Sequence, residues 1–354
     1  MSRTPTVYDV AERAQVSIAT VSRVLRSPDA VREATRDRVM EAVRFLGYVP
    51  SGNARALAAR RTNVIGLFFP GHDDLDVSVA LSPSAGIEVP IVVDDGSLVQ
   101  ETENLYFDEV LRGAEIEAWR RGFALMVAAG RGTSREAIVN DIAGRVDGLA
   151  VLARTVPDDL LAHVARRIPV VVLADARGTD EFDHVSVNNA PGMRALADHV
   201  LGTGARDVLY IAGPVDSPDD AERLEGFTAA VDATPGVTVE LVRGDFSRAR
   251  GREIGLALER VPQAIMCSND QTALGVLDAL NRRGIDVPGN VLVTGFDGIA
   301  AGRHSTPRLT TVHQPMVELG RAAIHALTAR LDAPGLAAQS LVLPVQVILR
   351  ASCP

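Results

Sequence analysis

Apolar residues recur at helical spacing in two short segments near the N-terminus, residues 7–14 and residues 18–25. Each segment is too short to form a stable helix alone. Ser17 stands directly before the second segment, where its hydroxyl can accept a hydrogen bond from the first helical turn. The spacing therefore predicts two helices that pack together across a short connection, a helix-turn-helix. The residues predicted to hold them together are Val10, Ala11, Val16, Val21 and Val24.

A third helical pattern follows within residues 31–50, VREATRDRVMEAVRFLGYVP. Gly47 is predicted to end this helix, because glycine readily adopts the left-handed conformation that follows many helices. The apolar stripe consists of Val39, Ala42, Val43 and Leu46. Three such helices predict either a DNA-binding head or a small bundle that packs on the rest of the protein.

From residue 63 onward, apolar runs alternate with helical patterns such as those of residues 193–204 and 271–284. Continuous apolar strands between helices predict parallel sheets that are covered on both faces. The runs are too numerous for one compact sheet, so we predict two doubly wound α/β subdomains. Ligands of such folds bind outside the carboxyl ends of the strands, which places a site in the cleft between the subdomains. The runs are residues 64–69, 123–128, 148–153, 169–174, 207–213, 263–268 and 290–296.

Charge is distributed unevenly along the 354 residues, which carry a net charge of −9. Residues 1–62 contain eleven Arg and six Asp or Glu, which is +5, so the remaining residues carry −14. A basic head on an acidic body favours DNA binding over the plain bundle. The second helix can enter the major groove and present its open face to base edges and phosphates. That face carries Ile18, Ala19, Thr20, Ser22 and Arg23.

Several other classes of protein lack support in the sequence. No apolar run is long enough to span a membrane, and MSRTPTVYDV is not of the signal-peptide type, so we expect a cytoplasmic protein. Cys267 and Cys353 belong to no metal-ligand cluster, and the histidines are scattered. The chain contains no Lys, hence no P-loop, and no G-x-S-x-G elbow. We therefore expect no enzyme, no cofactor and no metal.

Longer motifs resemble the lac repressor family of bacterial transcription regulators. VYDVAERAQVSIATVSRVL and TRDRVMEAVRFLGYVPSGNARALAARRTNVIGL carry the resemblance in the first 67 residues. AERLEGF, CSNDQTALGVLDAL, VTGFDG and LTTVHQP extend it, in order, through the body. The resemblance implies a periplasmic-binding-protein-like body and a repressor that binds a pseudo-palindromic operator in double-stranded DNA as a homodimer. The absence of a long Leu heptad favours a dimer over a tetramer.

The resemblance also implies how the chain is divided. The head is residues 1–49, the hinge helix is residues 50–62, and the effector-binding and dimerisation domain is residues 63–354. Within the latter, the N-subdomain is expected at about 63–185 and 314–340, and the C-subdomain at about 186–313 and 341–354. An acidic insertion at about 74–100 departs from the family, and is either a surface loop or a hairpin beside the cleft.

In this family the second helix reads bases, and the hinge helix inserts a leucine into the minor groove and kinks the DNA. Leu57 matches that leucine, and Arg23 matches a residue that contacts a base edge. Gln15 stands where the family usually has Gly, at a cost of about 1 kcal/mol if its backbone is left-handed. The implied DNA contacts are Thr6, Tyr8, Ser17, Ile18, Ala19, Thr20, Ser22, Arg23, Asn53, Ala54 and Leu57.

For the effector, the resemblance implies a small molecule in the cleft, with a sugar or sugar derivative favoured. Arg223 matches an arginine that clamps hydroxyls or a carboxylate, and Phe246 matches an aromatic residue that lies against a sugar ring. Asp175 is displaced by one from the family acid, and Asn188 stands where the family usually has Asp. The alternatives are a nucleobase corepressor and, with much less support, a solute-binding protein. The implied effector residues are Tyr106, Phe107, Asp175, Arg223, Phe246, Asn269, Gln271, Asp297 and Gln314.

Overall fold

A computed structural model describes residues 5–49, 61–70, 105–130, 135–175 and 182–354. The chain divides into two compact units, residues 1–62 and 63–354, which we describe separately. Most of the predicted hinge helix and the whole of the predicted insertion at 74–100 lie outside the described residues.

The first unit contains the helix-turn-helix and the third helix that the sequence predicts. The helices are α1 (Val7–Ala14), α2 (Ile18–Arg26) and α3 (Glu33–Leu46), with a 3₁₀ turn at Pro28–Ala30. Ser17 caps α2 by accepting a hydrogen bond from the Thr20 amide at 3.2 Å. Gln15 and Gly47 adopt left-handed backbone angles, with φ of 52° and 61°. The caps and turns predicted for this unit are therefore confirmed.

The core of the first unit is small and wholly aliphatic. Val10, Val21 and Val39 are fully buried, one from each helix. One apolar stripe from each helix meets at this point, because none of the helices could bury its own stripe alone. The opposite face of α2 is thereby left at the surface.

The second unit contains two six-stranded sheets in the described residues, each flanked by helices. The first sheet is parallel and has the order β11-β5-β4-β3-β1-β2. Its elements are β1 (Val64–Pro70), α4 (Leu105–Arg120), β2 (Ala124–Gly130), α5 (Arg135–Ala143), β3 (Gly148–Leu152), α6 (Asp158–Ala165), β4 (Val170–Leu173), β5 (Asp183–Val187), α12 (Met316–Asp332) and β11 (Ser340–Leu343).

The second sheet has the order β12-β10-β9-β8-β6-β7, and β12 is antiparallel to β10. Its elements are α7 (Asn189–Gly202), β6 (Asp207–Ala212), α8 (Pro218–Asp232), β7 (Thr238–Arg243), α9 (Arg248–Ala257), β8 (Ala264–Cys267), α10 (Asp270–Arg282), β9 (Leu292–Asp297), α11 (Ala300–His304), β10 (Thr310–His313) and β12 (Gln346–Ile348). The central strands are almost fully buried, as expected for sheets covered on both faces. The prediction of two doubly wound subdomains is confirmed.

The chain crosses three times between the two sheets. The first crossing follows β5 at Val187, the second follows β10 at His313, and the third follows β11 at Leu343. The expected boundaries at 185 and 340 each fall inside a strand of the first sheet, so they are too early. β5 and β11 pair up to Val187 and Leu343, and the Asn188 amide donates to the Leu343 carbonyl at 3.0 Å.

Helices α7 and α8 pack with their backbones in contact at Gly226. A methyl group at this position would overlap the carbonyl oxygen of Ala190 on α7. The absence of a side chain brings the two helices close enough for Asn189 on α7 to bond to Arg223 on α8. The close approach therefore sets the geometry of the polar cluster described below.

We predict that Gly226→Ala lowers the free energy of unfolding by about 1–3 kcal/mol, because the added methyl forces α8 away from α7. Gly202→Ala is the matched control. Gly202 ends α7 and has open space where a Cβ would lie, so alanine there leaves stability unchanged or raises it by up to about 1 kcal/mol. Urea unfolding followed by circular dichroism measures both, and equal effects would contradict the close contact.

Candidate functional site

The open face of α2 carries the side chains predicted to read DNA. Ser17, Ile18, Ala19 and Arg23 are exposed, while Thr20 and Ser22 are half-buried. Ile18 is 39% exposed and Arg23 is exposed, so this side of α2 presents an apolar and a cationic side chain to solvent while Val21 and Val24 are buried. This face is suited to a ligand that offers both apolar groups and anions, as the major groove does.

The other predicted DNA contacts of the head lie at the start of α1. Thr6 forms a capping box with Asp9, whose carboxylate accepts bonds from the Thr6 amide at 2.7 Å and its hydroxyl at 2.6 Å. Tyr8 is 66% exposed. Thr6 therefore has a structural role that is sufficient to account for it, whereas Tyr8 is available to a partner. Asn53, Ala54 and Leu57 lie outside the described residues.

A depression of about 390 Å³ borders α2 and includes residues that the sequence analysis missed. Arg32, Thr35 and Arg38 line it together with Arg23 and Thr20. Three arginines around one depression make it a site for anions such as DNA phosphates. Residues 32, 35 and 38 lie three positions apart, on one face of α3 and at its N-terminus. This spacing was the signal in the sequence that could have revealed them.

In the second unit, three residues with strained backbones lie at the carboxyl ends of strands. Ala174 follows β4, Phe246 lies three residues beyond β7, and Asp297 ends β9. Their φ angles are 60°, 70° and 126°, a region that residues other than glycine rarely adopt. Such strain persists where the surroundings fix it, and it concentrates at binding sites. The strand ends facing the cleft therefore carry the features of a binding site.

Arg223, on α8, is the centre of the polar cluster in the cleft and is only 3% exposed. Its Nε donates to Asn189 Oδ1 and its Nη1 donates to the Ser268 carbonyl, both at 2.9 Å. The Asp219 carboxylate lies 3.5 Å from Nη2 and the Asp297 carboxylate lies 3.6 Å from Nη1, and the guanidinium carbon lies 3.9 Å from the centroid of the Phe296 ring. The cluster holds Arg223 rigidly in one orientation.

Two acids of the same helix face complete this cluster, and the sequence analysis named neither of them. Asn189 Nδ2 donates to Asp219 at 2.9 Å and to Glu222 at 3.1 Å. Positions 219, 222 and 223 share one face of α8, which was the signal in the sequence. Asn188, the departure from the family pattern, is exposed, and its neighbour Asn189 is the buried residue that enters the site.

Asp297 and Gln314 form the opposite side of the cluster. Gln314 Nε2 donates to Asp297 Oδ1 at 2.6 Å, and both residues are buried. The Gln314 Oε1 atom is buried and, among the described residues, has no hydrogen-bond donor. Buried acceptors are usually paired, so this atom is open to a donor from outside the described residues.

Phe246 and Asn269 hold each other in position. Asn269 caps α10 by accepting from the Thr272 amide at 3.1 Å, and its Nδ2 donates to the Phe246 carbonyl at 2.9 Å. The Phe246 ring covers Gly213, where a methyl group would overlap it. Asn269 thus fixes the backbone of Phe246 through its side chain. Gln271, in the first turn of α10, is partly exposed.

The first sheet contributes the remaining predicted residues. Tyr106 and Phe107 begin α4, with ring centroids 5.3 Å apart, and Phe107 lies 5.0 Å from Phe69. Burial, and then the charges of Asp219 and Asp297, raise the pKa of the Tyr106 phenol above its usual range. The Tyr106 phenol is therefore neutral at physiological pH and lies within the influence of these two acids.

The acids of the cleft influence one another. Burial raises the pKa of Asp219 and of Glu222, and the charge of Asp175, which follows β4, raises both further. Burial likewise raises the pKa of Asp297 to about 6, against the opposing effects of Arg223 and Gln314. Of the predicted effector residues, the structure brings Arg223, Asp297 and Gln314 into contact. Tyr106 and Asp175 influence the pKa values or are influenced by the charges of this cluster, while Phe246 pairs with Asn269 and Phe107 pairs with Tyr106.

The raised pKa of Asp297 predicts a pH-dependent stability. The folded protein keeps a proton that the unfolded chain releases between about pH 4 and pH 6, so stability falls as pH rises through this window. The Asp297→Asn variant has no titrating carboxylate at this position, so it does not lose this stability as pH rises. Its free energy of unfolding should therefore gain roughly 2–3 kcal/mol relative to wild type between pH 4 and pH 7. Urea unfolding at the two pH values measures the gain, and a constant difference would contradict it.

In the described part of the chain, no group of three or more His, Cys, Asp or Glu residues could hold a metal ion. Within the same residues, no helix is long and apolar enough to cross a membrane.

Two protein families match separate parts of the chain. Residues 6–51 match the family described as bacterial regulatory proteins, lacI family, and residues 197–353 match the periplasmic binding protein-like domain. The chain is 31% identical, over 338 residues, to the HTH-type transcriptional repressor PurR of Proteus mirabilis, which covers 92% of this chain and 90% of that protein.

Two solved structures show the same fold. The complex of the transcriptional regulator CelR with cellobiose has a TM-score of 0.68 at 27% identity, covering 98% of this chain and 99% of that chain. The lac repressor dimer bound to operator and the anti-inducer ONPF has a TM-score of 0.79 at 24% identity, covering 99% of both.

A helix-turn-helix head joined to a two-sheet α/β body defines a class of protein, the DNA-binding transcriptional regulators with a binding-protein-like domain. The chain belongs to the lacI family of bacterial regulatory proteins.

Proposed function

We propose that this protein is a repressor that binds a pseudo-palindromic operator as a homodimer and that a small molecule in the cleft controls its affinity for DNA. DNA binding is supported by the exposed face of α2. Its side chains Ile18, Ala19 and Arg23 are exposed, while the opposite face of the helix packs into a buried aliphatic core. A dimer places two such helices on two half-sites related by symmetry.

Small-molecule control is supported by the polar cluster around Arg223 and by the strained backbones at the strand ends of both subdomains. A ligand that contacts Tyr106 from one side and Arg223 or Asp297 from the other changes the angle between the subdomains. Such a change alters the relative position of the two copies of residues 50–62 in a dimer, and hence the affinity for DNA. By this proposal the protein acts in the cytoplasm.

The effector we favour is a sugar or sugar derivative. Phe246 presents an aromatic ring, and the cluster supplies carboxylates and amides that suit hydroxyl groups. The related regulator CelR is seen with cellobiose, which supports this class. A nucleobase corepressor remains the alternative. We propose neither a catalytic step nor a cofactor, and the regulators related to this chain support that.

We predict that Arg23→Ala weakens specific DNA binding by about 1–3 kcal/mol and relaxes base preference at one position of each half-site. The exposed guanidinium of Arg23 is the group that can contact a guanine edge. Fluorescence anisotropy with the best double-stranded DNA selected from a random library measures the loss. Arg145→Ala, in the second unit, is the control. Equal affinity of Arg23→Ala and wild type would remove Arg23 from base reading.

A further inference from the structure

The charge balance of the cleft restricts the chemistry of the effector, provided that the proposed function holds. The first observation concerns the charge of Arg223. Its Nε and Nη1 already donate to Asn189 and to the Ser268 carbonyl, and two carboxylates flank the guanidinium. Its charge is therefore compensated within the chain by these two carboxylates, which disfavours a further pairing with a carboxylate or phosphate on a ligand.

The acids of the cluster outnumber their cation. Asp219 and Asp297 form ion pairs with Arg223, whereas Glu222 belongs to the same cluster but has no ion pair among the described residues. Asn189 Nδ2 bridges the carboxylates of Asp219 and Glu222 but adds no charge. Buried carboxylates without a cation are costly, which is consistent with the upward shift in the pKa of all three groups.

An independent observation concerns hydrogen bonding instead of charge. Gln314 is fully buried, its nitrogen is occupied by Asp297, and its Oε1 has no donor among the described residues. The Gln314 Oε1 atom can therefore accept a hydrogen bond from a ligand, next to the Asp297 carboxylate. Both the excess of carboxylates and the orphaned amide oxygen call for a ligand that brings N–H or O–H groups rather than acceptors.

We propose that the effector is a cationic amine that also carries hydroxyl groups, an amino sugar or a close relative, with its ammonium group bound by Asp219 and Glu222. An ammonium group supplies three donors and one positive charge, which matches the acids that Arg223 leaves uncompensated. The ring hydroxyls donate to Asp297 and to Gln314 Oε1. Sugar phosphates and sugar acids are excluded, because they would add negative charge to this cluster.

The test uses three matched sets of probes with the purified full-length protein. Glucosamine, galactosamine and mannosamine are compared with their N-acetyl forms, which keep the ring but lose the charge, with the three parent hexoses, and with glucose 6-phosphate. Isothermal titration calorimetry at pH 7 measures each affinity. In at least one set, the amine is expected to bind at least 10-fold more tightly than the neutral members, and glucose 6-phosphate is not expected to bind.

Variants assign the effect to the cluster. Asp219→Asn and Glu222→Gln should each weaken amine binding at least 10-fold, while Glu225→Gln, an exposed acid on the same helix, should leave it unchanged. A neutral or phosphorylated probe that binds as tightly as the amine would overturn the proposal, as would the absence of binding by all three amines. Operator affinity measured without ligand keeps the outcomes separate: intact DNA binding with no preference for amines refutes this inference alone.

Discussion

Arg223→Ala is expected to lower the free energy of unfolding of the body by about 3–5 kcal/mol, because removing one member of a buried charge cluster leaves the others uncompensated. Without the guanidinium, Asp219 and Asp297 lose their cation, and Asn189 Oδ1 and the Ser268 carbonyl lose their donors. Phe296 also loses the group stacked on its ring. Urea unfolding at pH 7 followed by circular dichroism measures the change.

Arg145→Ala is the matched control for this experiment. Arg145 pairs with Asp141 at 2.7 Å, but both side chains are about 60% exposed, so the pair contributes no more than about 1 kcal/mol. If the two variants unfold at the same urea concentration, the cluster around Arg223 does not stabilise the body. Arg223→Lys should fall between them, since it keeps the charge but loses the planar array of donors.

Val21→Asp is expected to abolish specific DNA binding, lowering affinity by at least about 100-fold, because a carboxylate at this position is buried in an aliphatic core without a partner. Val21 is fully buried between α1, α2 and α3. The substitution unfolds the head and thereby removes the ordered face of α2. Anisotropy titration with the selected DNA measures the loss.

Met40→Asp separates the effect of burial from that of charge. Met40 lies on α3 and is 37% exposed, so the variant adds the same negative charge without burying it. It should weaken binding only slightly, and more so at low salt. Comparable losses in the two variants would contradict the role of the Val21 core.

The head could be predicted almost completely from the sequence because its signals are local. Ser17 and Gly47 each mark a helix end by the chemistry of one residue, and the structure has both at the predicted position. The central strands of both sheets were equally visible, since a strand covered on both faces is a continuous apolar run.

The edges of the sheets were less visible. β7 and β11 are exposed along most of their length, and β7 mixes apolar with polar residues while β11 has only three consecutive apolar residues, so neither gives a long apolar run. β5 is buried, yet it contains Asp183, which is buried because Arg330, 147 positions later, bonds to both of its oxygens. A partner so distant in sequence cannot be recognised from local pattern.

Some members of the candidate site were predictable from the sequence, but the roles of its residues were not. The resemblance to the family pointed to Arg223, Asp297 and Gln314, which the structure brings together. It implied that Arg223 clamps the effector, whereas in the structure Arg223 donates two hydrogen bonds within the chain and forms ion pairs with Asp219 and Asp297. Asp219 and Glu222 escaped notice because acids in the first turns of a helix are common there for electrostatic reasons alone.

The central claim, that this chain reads DNA as a symmetric dimer, is tested most directly by selecting bound sequences from a random double-stranded library with the purified full-length protein. A symmetric dimer should enrich two inverted half-sites with a fixed spacing of about one helical turn. Recovery of a single half-site, or of no enriched sequence at low salt, would contradict it.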